Sequence, residues 1–295
     1  MSQFFLFFAL FVLCVNSDRT IRPKKYCKLY CGKIKATGCK CNLKGRRTES
    51  ELNKIIEFRQ LCLHEHNRWR NYIASGNETR GSAKSVADMM VMNYDLELEY
   101  LARCYGRSTF NGDYDKCRKL QNGRDAGQNI AGVSYQDLRL GRAKNGICRW
   151  YNEVKYMEKD IYSKWHTGKN NKIEQFTAMC WGVANLVGCA HIYTSDTKKQ
   201  GFVEKNYETA LICNYAVRDI KGNINSPGAS MYTLGNPCSK CPEGEKYNKC
   251  NSNYTALCGV LEPVPKDKPY QFSSSTKLCA NITLLVLTWI ILVLT

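Results

Sequence analysis

Residues 176–192 read FTAMCWGVANLVGCAHI, and residues 210–215 read ALICNY. The first run is apolar, broken by Gly182 and Gly188, and reads as extended. The second is a short apolar run bounded by polar residues, which reads as a strand. Outward from these segments, helical patterns dominate. Thr48 and Glu51 form a capping-box pattern that predicts a helix start, followed by Leu52, Ile55, Ile56, Phe58, Cys62 and Leu63 at largely helical spacing. A second helix is expected over Asp95–Cys104, where leucines alternate with acids, and a third over about Ile147–Tyr156. Helices and strands mix without a regular βαβ alternation, so the expected class is α+β, with layers around one sheet. Beyond Gly222 the chain turns to Gly, Pro, Asn, Ser and Cys, which is loop composition.

The 295 residues hold 17 cysteines, eight of them in two clusters. Cys27, Cys31, Cys39 and Cys41 form the first; Cys238, Cys241, Cys250 and Cys258 form the second. Such density persists as disulfides only in an oxidising compartment. The apolar run Met1–Cys14 followed by Val15, Asn16 and Ser17 predicts a signal peptide over 1–17, with Asp18 as the first mature residue. At the other end, Ile282–Thr295 is apolar but short for a spanning helix. Ser273, Ser274 and Ser275 precede it, so the order matches a lipid-anchor (GPI) signal whose tail is removed. A short tail-anchored helix and a freely secreted product are the alternatives. The boundaries expected are therefore 18–47, a basic cysteine-rich arm; 48–222, the main domain; 223–260, a cysteine-rich extension; 261–281, a linker and attachment region; and 282–295, the tail. The net charge of +17 favours anionic partners such as sulfated glycans, anionic lipid or acidic protein surfaces. Nucleic acid is not expected for a chain with a signal peptide. Asn77 and Asn253 open glycosylation sequons in plausible surface positions, and the Asn281 sequon lies in the tail.

Six ordered motifs between Glu51 and Tyr215 carry a resemblance. His66, Asn67 and Arg70 match HNxxR; Asp95, Leu96, Leu98 and Leu101 match a WDxxLxxxA helix with Tyr94 in the Trp position. Gly127, Gln128, Asn129 and Ile130 match G[EQ]N[ILV]; Trp150 and Glu153 match WxxE. Phe176, Thr177, Met179, Trp181, Val187, Gly188 and Cys189 match the core of HYTQMVW…VGC, and Leu211–Tyr215 matches LVCNY. The chain thus resembles the CAP superfamily (cysteine-rich secretory proteins, antigen 5 and pathogenesis-related proteins), and is most similar to the arthropod antigen-5 branch. The resemblance implies an α-β-α sandwich with a disulfide-rich N-terminal arm, and a C-terminal hinge around Pro237, Cys238, Cys241 and Pro242. It also implies that Cys189 pairs with Cys213, and that Cys104 and Cys117 pair with arm cysteines. Cys62, Cys148 and Cys180 fall outside the pattern; they are either small buried side chains or an extra disulfide. With Cys14 and Cys279 removed, 15 cysteines remain of the 17, so at least one is unpaired or bonded outside the chain.

The family's cavity is lined by two His and two Glu, a donor set suited to zinc. Here the corresponding positions are Tyr114, Gln128, Glu153 and Gln175, so one carboxylate survives. The four histidines do not repair the site. His64 and His66 lie two apart on a helix and face different sides. His66 belongs to HNxxR, where a structural hydrogen bond is expected; His166 sits in a Gly- and Asn-rich loop; His191, on a strand, is either buried or exposed. No metal and no cofactor are expected, and Gln128, Glu153, Gln175 and Tyr114 are expected to form a buried polar network. No GxSxG elbow, HExxH or Gly-rich phosphate loop is present. The function expected is non-enzymatic binding of an extracellular protein or an anionic glycan or lipid, in an allergen-like or immunomodulatory role. A sterol or fatty-acid carrier is the alternative, motivated by the Met-rich stretch Met89–Met92. A hydrolase using Glu153 is remote.

Overall fold

The computed structural model describes residues 21–41, 48–108, 110, 112–167, 172–193 and 207–270. The segments expected to be a signal peptide, an anchor-attachment site and a removed tail, with the Asn281 sequon, lie outside the described residues. Arg22–Tyr270 packs as one unit. Its arm holds α1 (Pro23–Tyr26) and a two-stranded hairpin, β1 (Tyr30–Cys31) and β2 (Ile34–Lys35). Then come β3 (Thr48–Glu49), α2 (Ile55–Ala74), β4 (Asn93–Tyr94), α3 (Leu96–Ser108), β5 (Gly127–Val133), α4 (Gly141–Tyr151), α5 (Glu174–Cys180), β6 (Leu186–Tyr193) and β7 (Thr209–Ala216).

The main sheet runs β3-β6-β7-β5, with β4 added parallel to β6 and the other neighbours antiparallel. Strand alternation divides its side chains between two layers. Ile130, Ala190, Ile192, Ala210 and Ile212 pack with Ala102, Tyr105 and Phe110 on the α3 side. Ala131, Val187, Cys189, Leu211, Cys213 and Tyr215 pack with residues of α2, α4 and α5 on the other. This is an α-β-α sandwich, as expected. Gly188 is what lets α3 approach: a Cβ there would stand 2.3 Å from the Glu99 nitrogen and 2.5 Å from the Asp95 oxygen.

Two local expectations are overturned. Thr48 is in β3 rather than at a helix N-cap, and α2 begins at Ile55 after a 3₁₀ turn, with no side-chain cap at Lys54. The reason is tertiary: Glu51, the second half of the capping-box pattern, is buried against Arg103 at 2.9 Å. Residues 174–180 are the helix α5, not part of an extended run, and the strand starts only at Leu186. A fully buried helix and a fully buried strand show the same unbroken apolar pattern.

Six disulfides staple the unit: Cys27–Cys39, Cys31–Cys117, Cys41–Cys104, Cys189–Cys213, Cys238–Cys250 and Cys241–Cys258. Cys104 and Cys117 therefore hold the arm to the body, and Cys189 faces Cys213 directly across β6 and β7. Cys62, Cys148 and Cys180 are free thiols; Cys62 and Cys180 are buried. Residues 217–270 form no helix and no strand longer than an isolated bridge. Val264 packs on the core, and the Pro265 and Asp267 carbonyls each accept a hydrogen bond from Arg59 Nη1, so this Pro- and Lys-rich stretch is strapped to α2.

Candidate functional site

The site is built where α2, α5, β5 and β7 meet. His66 is buried, and its Nδ1 donates to the Cys62 carbonyl one turn back at 2.7 Å. That tautomer leaves Nε2 to accept from the Tyr215 hydroxyl at 2.9 Å. Asn129 Nδ2 donates to the same hydroxyl at 3.1 Å and to the Gln175 carbonyl at 2.7 Å. Burial holds the imidazole down at about 4, so it is neutral at physiological pH and fits this chain of bonds. Asn67 pairs with Met92 through both of its amide atoms.

Arg70 is fully buried and has no carboxylate ion-pair partner among the described residues. Its guanidinium donates instead to the carbonyls of Met90, Met179, Trp181, Gly182 and Ala184, at 2.7–3.1 Å. Four of these carbonyls belong to the last turn of α5 and the loop after it, where helix carbonyls lack partners of their own. Burial pulls this guanidinium down to about 10, which leaves it charged. Arg70 thus fixes where α5 stops, and with it Trp181, whose ring meets Trp165 edge-on.

Of the four cavity positions, three come together. Glu153, in the 3₁₀ turn Asn152–Tyr156, accepts the Gln175 and Phe176 backbone N–H groups on Oε2 at 2.9 and 3.0 Å, where α5 begins. Gln175 donates its amide to the Ile130 carbonyl at 2.9 Å and reaches the Tyr114 hydroxyl at 3.4 Å. Burial pushes the Glu153 carboxyl up to about 7 despite these two donors. Burial also raises the Tyr114 phenol. Gln128 departs from the expected network: it donates to Asn214 at 3.0 Å and accepts from the Asp115 N–H at 2.8 Å. Strand register is the cause, because Gln128 faces Asn214 across β5 and β7 and both side chains point toward α3. Gln128 is buried, but Tyr114 is 42% exposed; both line an open cleft of about 610 Å³.

These residues do not fit zinc. The donors are one carboxylate with an oxygen already holding two N–H groups, a neutral phenol, and two amides spent on protein partners. Zinc asks for thiolate, imidazole or carboxylate donors converging on one point. The histidines lie elsewhere: His64 is exposed beside the Tyr254 hydroxyl, His166 pairs with Asp160 at 3.2 Å, and His191 is buried against Ser50. Among the described residues, the one cluster of potential metal-ligand atoms is the sulfurs of Cys238, Cys241 and Cys258, which are committed to disulfides.

No motif announced a second polar centre on the α3 side. Arg59 forks onto Glu99 at 2.7 and 2.8 Å, and Arg103 reaches Glu99, Glu49 and Glu51 at 2.6–3.0 Å. Arg107 and the Tyr270 hydroxyl complete it on Glu49. The signal available in the sequence was the i,i+4 pair Glu99–Arg103.

Comparison with known proteins places the chain. No family model matches it. It is 30% identical over 204 residues to venom allergen 5 2 of Polybia paulista, an alignment covering 65% of this chain and 92% of that protein. The chain belongs to the CAP superfamily. A venom allergen 5 of Tityus serrulatus is 28% identical over 231 residues, 75% of this chain, but the match spans only 50% of that longer relative. In fold, this CAP chain is similar to the crystal structure of NaASP2 with Zn²⁺, with a TM-score of 0.52 and 22% identity over 75% of this chain and all of the other. The branch it resembles is the antigen-5 one, as its motifs imply.

Proposed function

We propose that this CAP protein is a non-enzymatic extracellular binding protein whose partner is anionic. The observation that carries the reading is how its charge is sorted. Glu49, Glu51, Glu65, Glu78, Glu99 and Asp137 are buried and ion-paired to arginines. Lys24, Lys25, Lys28, Lys33, Lys35, Lys116, Lys155, Lys159 and Lys164 are exposed. The described acids that stay exposed, such as Glu57, Glu158 and Asp160, are fewer than the exposed lysines, so the surface seen by a partner is basic. Six disulfides belong to an oxidising compartment. Asn77 and Asn253 are both exposed and open to glycan transfer there.

The cleft supports binding better than catalysis. The titratable neighbours of Glu153 are Tyr114 and Glu174, with no metal set beside it among the described residues, and its carboxyl serves the start of α5. The Met89–Met92 stretch that motivates a lipid carrier is fully buried core, with Met90 and Met92 carbonyls held by Arg70 and Asn67. The test is retention of the secreted, purified chain on sulfated and anionic-lipid surfaces at physiological salt. Retention that is released by added salt supports the reading; passage through every anionic surface overturns it. Turnover of any ester or peptide substrate that Glu153→Gln abolishes would return the chain to the enzymes.

A further inference from the structure

We infer that the groove between the arm hairpin and the segment Tyr114–Lys116 is a binding site for a linear sulfated glycan. The inference rests on the anionic-partner reading and gives it a place. No Asp or Glu occurs from Arg19 to Arg47, although basic residues recur throughout. Such a run is ordinarily a mobile, solvated tail. Here Cys27–Cys39, Cys31–Cys117 and Cys41–Cys104 clamp it, and Thr37 bonds to both Cys117 and Asp115. The backbone that carries Lys33 and Lys35 is therefore pre-positioned, which reduces the ordering cost of binding.

The geometry favours a chain over a flat surface. The groove holds about 310 Å³ and has Lys35 on one wall and Lys116 on the other. Both lysines are exposed, as is Lys33 at the hairpin turn, and none is held in an ion pair by a described acid. A sulfated chain lying in the groove meets cations on both sides, whereas a bilayer touches only the rims. The register of the hairpin puts Tyr30 opposite Lys35 on one face and Cys31, which is bonded to Cys117, opposite Ile34 on the other. The Tyr30 ring is 49% exposed with Lys35 Nζ 5.8 Å from its centroid. An exposed aromatic face beside an ammonium suits a sugar ring bearing a sulfate. Tyr30 and Ile34, 49% and 47% exposed, are the two large apolar side chains that the hairpin leaves open, which is too little for insertion into hydrocarbon.

The experiment compares the secreted full chain with two variants of equal net charge, using a size-defined heparin oligosaccharide as probe. One variant carries Lys33→Ser, Lys35→Ser and Lys116→Ser. The other carries Lys221→Ser, Lys240→Ser and Lys249→Ser, all exposed and remote in sequence from the arm. Disulfide content and thermal melting confirm that both fold. At physiological ionic strength, the groove variant is expected to lose affinity by about tenfold or more and the control by less than about twofold, with the salt dependence of binding falling only in the first. Equal losses overturn the groove and leave a diffuse anionic-partner reading standing. Binding to phosphatidylserine vesicles but not to heparin overturns the glycan. Binding to neither overturns the parent reading as well.

Discussion

Glu153 keeps its proton up to about pH 7 because the desolvation of its carboxyl outweighs two backbone donors. Its folded value lies above the unfolded value of about 4.5, so the folded state binds the extra proton between those pH values. Stability therefore falls as pH rises from about 4.5 through 7. Glu153→Gln keeps an oxygen for the Gln175 and Phe176 N–H groups and removes the charge. It should melt like the parent near pH 4.5 and be more stable at pH 8, on the order of 1–3 kcal/mol, in thermal melts taken across that range. An unchanged difference at both ends would show that the carboxyl titrates normally. His66 has the opposite sign: its folded value near 4 lies below the unfolded one, so its contribution is lost as pH falls from about 6.5 through 4. Arg70 offers a test independent of pH. Arg70→Lys retains a charge but cannot reach five carbonyls, and should cost about 3–5 kcal/mol by urea denaturation. The motif HNxxR was legible as a string; that its three side chains respectively wire α2 to the sheet, hold Met92 and end α5 was not. Each partner is a backbone or side-chain group brought in from twenty or more residues away, apart from the local Cys62 carbonyl.

At the scale of elements, α3 decides the second layer. Its backbone rests on Gly188, and its buried face carries Glu99 and Arg103 into the ionic cluster with Arg59, Glu49 and Glu51. Gly188→Ala would drive a Cβ into the backbone of Asp95–Glu99, which cannot rotate away as a side chain can. It should destabilise the protein by about 2–4 kcal/mol, read as a lower melting temperature or lost secretion. A tolerated alanine would mean that α3 sits farther from β6. The alternating Leu and Glu of α3 announced a helix, while nothing in that pattern told which glutamates go inside. That choice depends on arginines at Arg59 and on α3 itself meeting acids from β3 and the turn after it. The same cluster removed Glu51 from the capping role its spacing suggests.

For the whole molecule, the arm is an integral part of the fold because Cys31–Cys117 spans 86 residues and ties it to the loop before β5. Replacing both cysteines by serine should cost about 2–4 kcal/mol in thermal or urea unfolding. It should also release the hairpin that bears Lys33 and Lys35. Thiol labelling reports the same architecture. Within residues 22–270, native protein should react at Cys148 alone, and denatured unreduced protein at Cys62, Cys148 and Cys180, because Cys62 and Cys180 are fully buried and burial raises both thiols. Labelling of any other cysteine, read by peptide mass spectrometry, would show a different pairing.

The sequence by itself determined the family and the α+β class, since these depend on which residues occur in which order. It also supplied the excess of lysine. Only the tertiary structure decided that Gln128 turns toward α3 while Tyr114 and Gln175 stay with Glu153, because strand register and the start of α5 set those directions. It alone separated the helix Glu174–Cys180 from the strand behind it, two buried segments with one apolar pattern. And it alone buried Glu49, Glu51 and Glu99 with their arginines: burial of a charge requires partners that converge from distant segments, and convergence is a property of the fold.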